Sequence, residues 1–438
     1  MFSEWIRSVG FWGLDFLRGS KIRKHYADIK NIMENGSSSE VSKIQEDHLK
    51  SVLRYASENV EFYKKFKDYD SIKSFPVINK NMIKNDYAAF QSRQYLGARV
   101  INMHTSGSTG TPFIVRQDRN KRDRAYADMI YFWGRAGYQV GMKYLFLRVW
   151  TALNRKNRLT AWARNIFMWD IRRQDDENWE KIRQILKADH KIKMLLGYGR
   201  TLETLANYLV ACGNTLDQYN IQTIIGFGET FPRSAYENLG KVFKSKIISL
   251  YSDQEMGMLA VECVENKEYH VNGASFHIEL LKMDSDDPAS VGEQGRIVVT
   301  DLFNHAMPLI RYDTGDTGVW KQAPECGWVS QVLSSVQGAT VDPLYDTRGN
   351  KIATATIGMN LWSFVELRQY QLIQEGARQY TFKLNGAEGH YEDATFVSLL
   401  KEYLGQDAEI KIEHVDEIPV LASGKRKTFV NNYYKTNA

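Results

Sequence analysis

Between Lys193 and Tyr251 the chain alternates between short apolar runs and amphipathic stretches, and this alternation restricts the fold more than any other feature. Lys193–Leu196 reads as a buried strand and Gly197-Tyr-Gly199 as its turn. Thr201 is placed to cap a helix that runs to Cys212 through Leu202, Leu205, Ala206 and Leu209. Ile221–Ile225 reads as a second strand, ending in Gly226-Phe-Gly-Glu-Thr230. Pro232 stands where a helix begins, and that helix extends to Phe243. Lys246–Leu250 is the third strand. Such an order requires right-handed crossovers and a parallel sheet, so the expected class is α/β. Ligands of these sheets bind beyond the carboxyl ends of the strands, which brings Gly226–Thr230 and Tyr251–Glu255 to one edge.

The flanking sequence has a different texture. Helical patterns fill the first hundred residues, as in Ile44–Asn59 and Tyr63–Lys67. Strand candidates follow at Tyr269–Leu281 and Arg296–Asp301. After Gly338 a short α+β tail offers Ile352–Thr356, a helix over Tyr391–Leu404, an alternating strand Ala408–His414 and a Gly/Lys/Arg loop. The expected division is a large domain of helices layered on mixed or parallel sheets, residues 1–338, and a small mobile α+β domain, residues 339–438.

Composition narrows the function. A net charge of +5 over 438 residues, without a dense basic stripe, argues against nucleic acid. Cys212, Cys263 and Cys326 are far apart in sequence, which predicts neither a zinc site nor a disulfide framework and fits a reducing cytoplasm. No run of about 18 apolar residues is present to span a bilayer. Phe2, Trp5, Ile6, Val9, Trp12, Phe16 and Leu17 recur at helical spacing ahead of Lys21, Arg23 and Lys24. That pattern predicts a helix packed on its own domain, with peripheral contact to a membrane or a complex as the alternative.

Four segments carry chemistry. Thr105-Ser-Gly-Ser-Thr-Gly-Thr-Pro112 is small and hydroxyl-rich: Gly107 and Gly110 let the backbone approach an anion, and Ser106, Ser108 and Thr109 add donors. It lacks the lysine of a G-x-x-x-x-G-K-[ST] loop. In Tyr251-Ser-Asp-Gln-Glu255, the tyrosine can stack on a flat base and Glu255 can hold Mg²⁺ on phosphate oxygens. In Arg311-Tyr-Asp-Thr-Gly-Asp316, a carboxylate on a tight turn can accept from a ribose diol. Ser423-Gly-Lys425-Arg-Lys427 offers a flexible ammonium for a phosphate. Taken singly, each segment is also an ordinary turn, core strand or surface loop.

In this order and at these separations the segments resemble the adenylate-forming enzymes: acyl-CoA synthetases, nonribosomal peptide adenylation domains and luciferases. They look most like the branch holding phenylacetate–CoA ligase, coenzyme F-390 synthetase and CapK-type capsular polysaccharide proteins. The resemblance covers residues 40–430 and implies a phosphate loop at Thr105, Ser106, Gly107, Ser108, Thr109 and Gly110. It further implies a G-x-E segment at Gly226, Gly228 being in it, with Glu229 beside the acyl and adenine pockets; Tyr251 at adenine; Glu255 on Mg²⁺; Asp316 on ribose; and Lys425 as the catalytic lysine. ATP, Mg²⁺ and coenzyme A are the implied co-substrates and ion, a small carboxylic acid the substrate, and the cytoplasm or the inner face of its membrane the location. Three departures stand out. Ser252 replaces a usual glycine, Thr111 a frequent lysine, and Ala339 the hinge arginine of a G-R-x-x-D pattern at Gly338–Asp342. Transfer to an amine in surface polysaccharide synthesis, or a catalytically weakened scaffold, are the alternatives to a thioester-forming ligase. The lining around Arg148–Trp150 is the candidate acid pocket.

Overall fold

The computed structural model describes residues 2–36, 38–104, 114–150, 154–173, 175–215, 218–228, 231, 233–322, 326–338, 342, 344–350, 352, 354, 357, 361, 364, 367–386, 391–418 and 427–433. Helices α1 (Phe2–Leu17), α2 (Lys21–Asn35), α3 (Ser39–Asn59) and α4 (Lys80–Asn85) come first. A two-stranded hairpin, β1 (Ile101–His104) and β2 (Ile114–Gln117), leads into α5 (Arg119–Arg135). Asp118 caps α5 by accepting from the Lys121 amide at 2.8 Å.

The parallel core is β3 (Lys143–Arg148), α6 (Arg158–Ala163), β4 (Ile166–Asp170), α7 (Asp176–Ala188), β5 (Ile192–Tyr198), α8 (Gly199–Ala211), β6 (Thr223–Phe227), α9 (Arg233–Val242) and β7 (Lys246–Asp253). Strands β4, β3, β5, β6 and β7 lie side by side and parallel. All but one residue of β5 is buried, as a central strand covered on both faces requires. Helix α8 begins at Gly199, so Thr201 sits inside its first turn rather than at its cap. The reason is local: Tyr198 already ends the strand in extended geometry.

From β7 the sheet turns antiparallel through β8 (Gly257–Glu262), β9 (Tyr269–Val271), β10 (Phe276–Leu281), β11 (Gln294–Asp301), β12 (Tyr312–Lys321) and β13 (Val332–Gln337). The eleven strands run β10-β11-β12-β13-β9-β8-β7-β6-β5-β3-β4. A separate sheet, β16-β15-β14-β17, comes from β14 (Leu367–Gln374), β15 (Gln379–Gly386), β16 (Glu409–His414) and β17 (Phe429–Asn431), with the helix Asp393–Leu404 packed on it through Phe396, Leu400 and Leu404. The α/β class expected from the alternation is the one observed.

Helix α1 departs from expectation. Its apolar residues were expected to pack inward; only Phe11 and Trp12 do, against the core that holds Tyr26 and Tyr131. Phe2, Trp5, Ile6, Val9, Leu14, Phe16 and Leu17 are exposed. The helix docks by polar groups instead. Glu4 pairs with Lys193 at 2.7 Å, Arg7 Nε donates to the Trp162 carbonyl at 3.0 Å, and the buried Asp15 accepts from the Ile22 and Arg23 amides at 2.9 and 3.0 Å. Among the described residues no helix is long and apolar enough to cross a membrane.

Candidate active site

The carboxyl end of β7 meets the middle of β12. Tyr251, on β7, donates its hydroxyl to Asp316 Oδ2 at 3.0 Å. Burial, and then the Asp316 carboxylate, hold the Tyr251 hydroxyl protonated far above the ordinary phenol range, so it stays a donor. Asp316 is not on a tight turn, as the sequence suggested, but in a bulge inside a strand. Arg296 pairs with Thr317 and Val298 with Asp313, so residues 314–316 face Ile297 alone. Gly315 takes φ +79, Thr314 Oγ1 holds the Ile297 carbonyl at 2.9 Å, and the extra length re-aims Asp316 toward Tyr251.

Glu255 lies in the turn between β7 and β8. Tyr312 donates to its Oε1 at 3.4 Å, and Gln117 Nε2 donates to its backbone carbonyl at 3.0 Å. Gln117 ends β2, so the hairpin flanking residues 105–113 is fastened to the Glu255 turn. Asp253 accepts from the Met256 and Gly257 amides at 2.7 and 3.0 Å through Oδ1, while its Oδ2 is buried without a hydrogen bond among the described residues. Burial, then the neighbouring Glu255 carboxylate, push the Asp253 carboxyl well above the usual range. Lys80 opens α4 and stands in the field of both carboxylates. Burial lowers its pKa, and Glu255 and Asp253 oppose that shift. Two crowded carboxylates with an orphaned oxygen suit a divalent cation, and a nearby ammonium suits the phosphates such an ion accompanies. Sequence reasoning missed Lys80 and gave Asp253 no role. Nothing local in the Asn79–Asn85 segment signals a partner about 175 residues away.

Other expected site residues are placed unevenly. Gly228 takes φ +77 at the end of β6, and an added Cβ would stand 3.2 Å from the Tyr198 ring. Gly226 packs under Phe231, where a Cβ would fall 2.0 Å from the ring. Thr105, Ser106, Gly107, Ser108, Thr109, Gly110, Glu229, Ala339 and Lys425 lie outside the described residues. Beside the β5 and β6 ends, Tyr198 and Phe227 rings are 4.7 Å apart, and Phe146 meets Phe227 at 5.8 Å and Trp150 at 5.0 Å. Trp150 is a core residue whose indole N–H donates to the Trp169 carbonyl at 3.1 Å. The Arg148 guanidinium lies over both rings, 5.9 Å from the Phe146 centroid and 6.0 Å from that of Trp150. Lys156 is lowered by burial and by Arg148 and Arg122, which marks a crowded cationic neighbourhood.

Two further clusters were not legible. Asp342, at the end of the hinge pattern, holds Lys427 Nζ at 2.9 Å and accepts from the Asn431 amide at 3.2 Å. Cys263, His270 and Cys326 bring one donor atom each within 4.8 Å of one another, contrary to the expectation from their spacing. Strand β9 carries His270 between β8 and β13, and that adjacency closes the sequence gap. Ser330 Oγ meets His270 Nδ1 at 3.0 Å and leaves Nε2 to face Cys326 at 3.1 Å, a donor set suited to a soft divalent ion.

Comparison with known proteins bears on the whole arrangement. Residues 344–432 match the family model of the CapK C-terminal domain. The chain is 23% identical over 318 residues to phenylacetate-coenzyme A ligase of Thermus thermophilus, covering 69% of this chain and 71% of that protein. It is 20% identical over 449 aligned positions to protein CapK of Staphylococcus aureus, covering 97% and 96%. A crystal structure of 2-hydroxyisobutyryl-CoA ligase with 2-HIB-AMP and CoA shares the fold at a TM-score of 0.60, with 16% identity and 92% of each chain covered. The chain is thus similar to phenylacetate-coenzyme A ligase and to CapK over most of its length, its residues 344–432 match the CapK C-terminal domain, and it shares the fold of 2-hydroxyisobutyryl-CoA ligase.

Proposed function

We propose that the protein activates a carboxylic acid with ATP and transfers the acyl group to coenzyme A. In the first step an acid oxygen attacks the α-phosphorus, the bond to the bridging oxygen breaks, and pyrophosphate leaves. In the second, the thiol sulfur attacks the acyl carbon, its proton passes to solvent or base, and AMP leaves. Tyr251 and Asp316 would hold the adenosine, with the Asp316 carboxylate accepting from the ribose diol. Glu255 and Asp253 would carry Mg²⁺, whose charge offsets that of the phosphates. Lys80 and residues 105–110 would face the leaving pyrophosphate. Lys425, in a small domain of residues 339–438, would bridge the acid and the α-phosphate before that domain rotates away. Positioning and fixed charge supply most of the rate in such transfers.

The observation that carries this reading is the contact of Tyr251 with Asp316 beside the Glu255 turn, which unites two segments 65 residues apart. The aromatic faces of Phe146 and Phe227, with Arg148 beside them, favour a flat acid over a long saturated chain. The test is acid-dependent ATP–pyrophosphate exchange over aryl, fatty, amino and uronic acids, followed by trapping with coenzyme A or an amine. Exchange with an aryl acid and thioester formation support the proposal. Absence of ATP binding and of pyrophosphate release would leave only a scaffold role, and amide formation without thioester would move the acceptor to an amine.

A further inference from the structure

We propose that α1 and α6 form one docking surface for an anionic lipid bilayer. An amphipathic helix on a globular protein ordinarily turns its apolar side inward. Helix α1 turns only Phe11 and Trp12 inward; it is fastened also by Glu4, Arg7 and Asp15, and it faces solvent with Trp5, which is 62% exposed, Phe16, 70%, and Leu17, 80%. The docking is close: a Cβ on Gly141 would fall 2.3 Å from the Glu4 carbonyl oxygen, so the helix is seated on its polar side.

Helix α6 extends the patch. Arg7 bonds the Trp162 carbonyl and lies 5.2 Å over the Trp162 ring, and Trp162 and Leu159 are themselves 64% and 73% exposed. Of the 14 exposed large apolar side chains among the described residues, nine lie on these two helices. Such concentration marks an interaction surface rather than scattered exposure.

The charge around the patch selects the occupant. Arg18, Lys21, Arg23, Lys24, Arg155 and Arg158 are exposed at its borders. In residues 2–26 the acids are Glu4 and Asp15 alone, both committed to internal contacts, and residues 154–164 contain none. A second copy of the same face would set these cations against one another. Anionic headgroups would neutralise them while the acyl boundary receives Trp5, Phe16 and Trp162. At 16 residues α1 is too short to cross a bilayer and suits an orientation along its surface.

The test mixes the whole 438-residue chain with vesicles of phosphatidylcholine, alone or containing phosphatidylglycerol, and sediments them. The wild type is expected to bind the anionic vesicles about tenfold more strongly at low salt, and to release as salt rises. The double change Trp5→Glu, Phe16→Glu should abolish binding at an unchanged thermal midpoint. Arg18→Glu, Lys21→Glu, Lys24→Glu, which keeps the apolar side chains, should weaken binding to the phosphatidylcholine level. Undiminished binding of either variant, no binding of the wild type to either vesicle, or a Trp5-dependent dimer in sedimentation velocity would overturn the proposal.

Discussion

The hydroxyl of Tyr251 and the carboxylate of Asp316, 3.0 Å apart, join the parallel half of the sheet to its antiparallel half at the carboxyl edge. The bond fixes the Asp316 carboxylate in direction. Tyr251→Phe keeps the ring and removes the donor. It is expected to raise the KM for ATP by roughly five- to tenfold, the worth of about 1 kcal/mol or slightly more, with little change in thermal midpoint. Steady-state kinetics of exchange check this, and an unchanged KM would remove Tyr251 from the nucleotide site.

Glu255→Gln keeps the turn and deletes one charge from the crowded pair. Exchange should fall roughly 100-fold, and the Mg²⁺ concentration for half-maximal rate should rise. Because Glu255 helps to raise the Asp253 pKa, its loss lets Asp253 ionise more readily, and Mg²⁺ binding by the variant should depend less on pH than that of the wild type. A Mg²⁺ titration identical to wild type would contradict the metal role.

Lys80→Met retains the stem of the side chain and removes its charge. The expected loss lies in exchange, roughly 10- to 100-fold, and not in folding. Lys425→Ala should lose exchange as well, yet still transfer the acyl group from a pre-made acyl-adenylate. A Lys80 variant that behaves as wild type in exchange would show that its charge serves only Glu255 and Asp253.

Gly226→Ala places a methyl group into Phe231, 2.0 Å from the ring. Strand β6 cannot yield, because β5 and β7 are bonded on both sides of it. The variant should lose about 1–3 kcal/mol, read as the midpoint of denaturant unfolding.

His25 and His48 both turn an edge toward Phe303, near Arg124, and burial lowers the pKa of each below 6.5. The unfolded chain therefore takes up protons first as the pH falls. Stability is fully present above the unfolded value and is lost as the pH drops through 6.5 toward the lower folded values. Thermal midpoints from pH 8 to pH 5 should fall in that window, and His25→Gln, His48→Gln should flatten the decline.

The alternation from Lys193 to Tyr251 located three parallel strands to within a few residues, because a buried strand needs a continuous apolar run and its helices need a stripe. Tyr251, Glu255 and Asp316 were legible as motif residues. Their mutual placement was not, since no local pattern specifies a three-residue bulge opposite Ile297. Lys80 escaped notice for the same reason: the carboxylates it faces, Glu255 and Asp253, lie about 175 residues away.

The α/β class and the alternation of strands and helices from Lys193 to Tyr251 follow from sequence alone, because backbone propensity and hydrophobic period act over short range. Tertiary structure decided the rest. It put Tyr251 against Asp316, set Lys80 in the field of two carboxylates and gathered Cys263, His270 and Cys326 across β9. It also turned α1 outward, since Lys193, the Trp162 carbonyl and the first amides of α2 offered its polar face partners that helical periodicity cannot foresee.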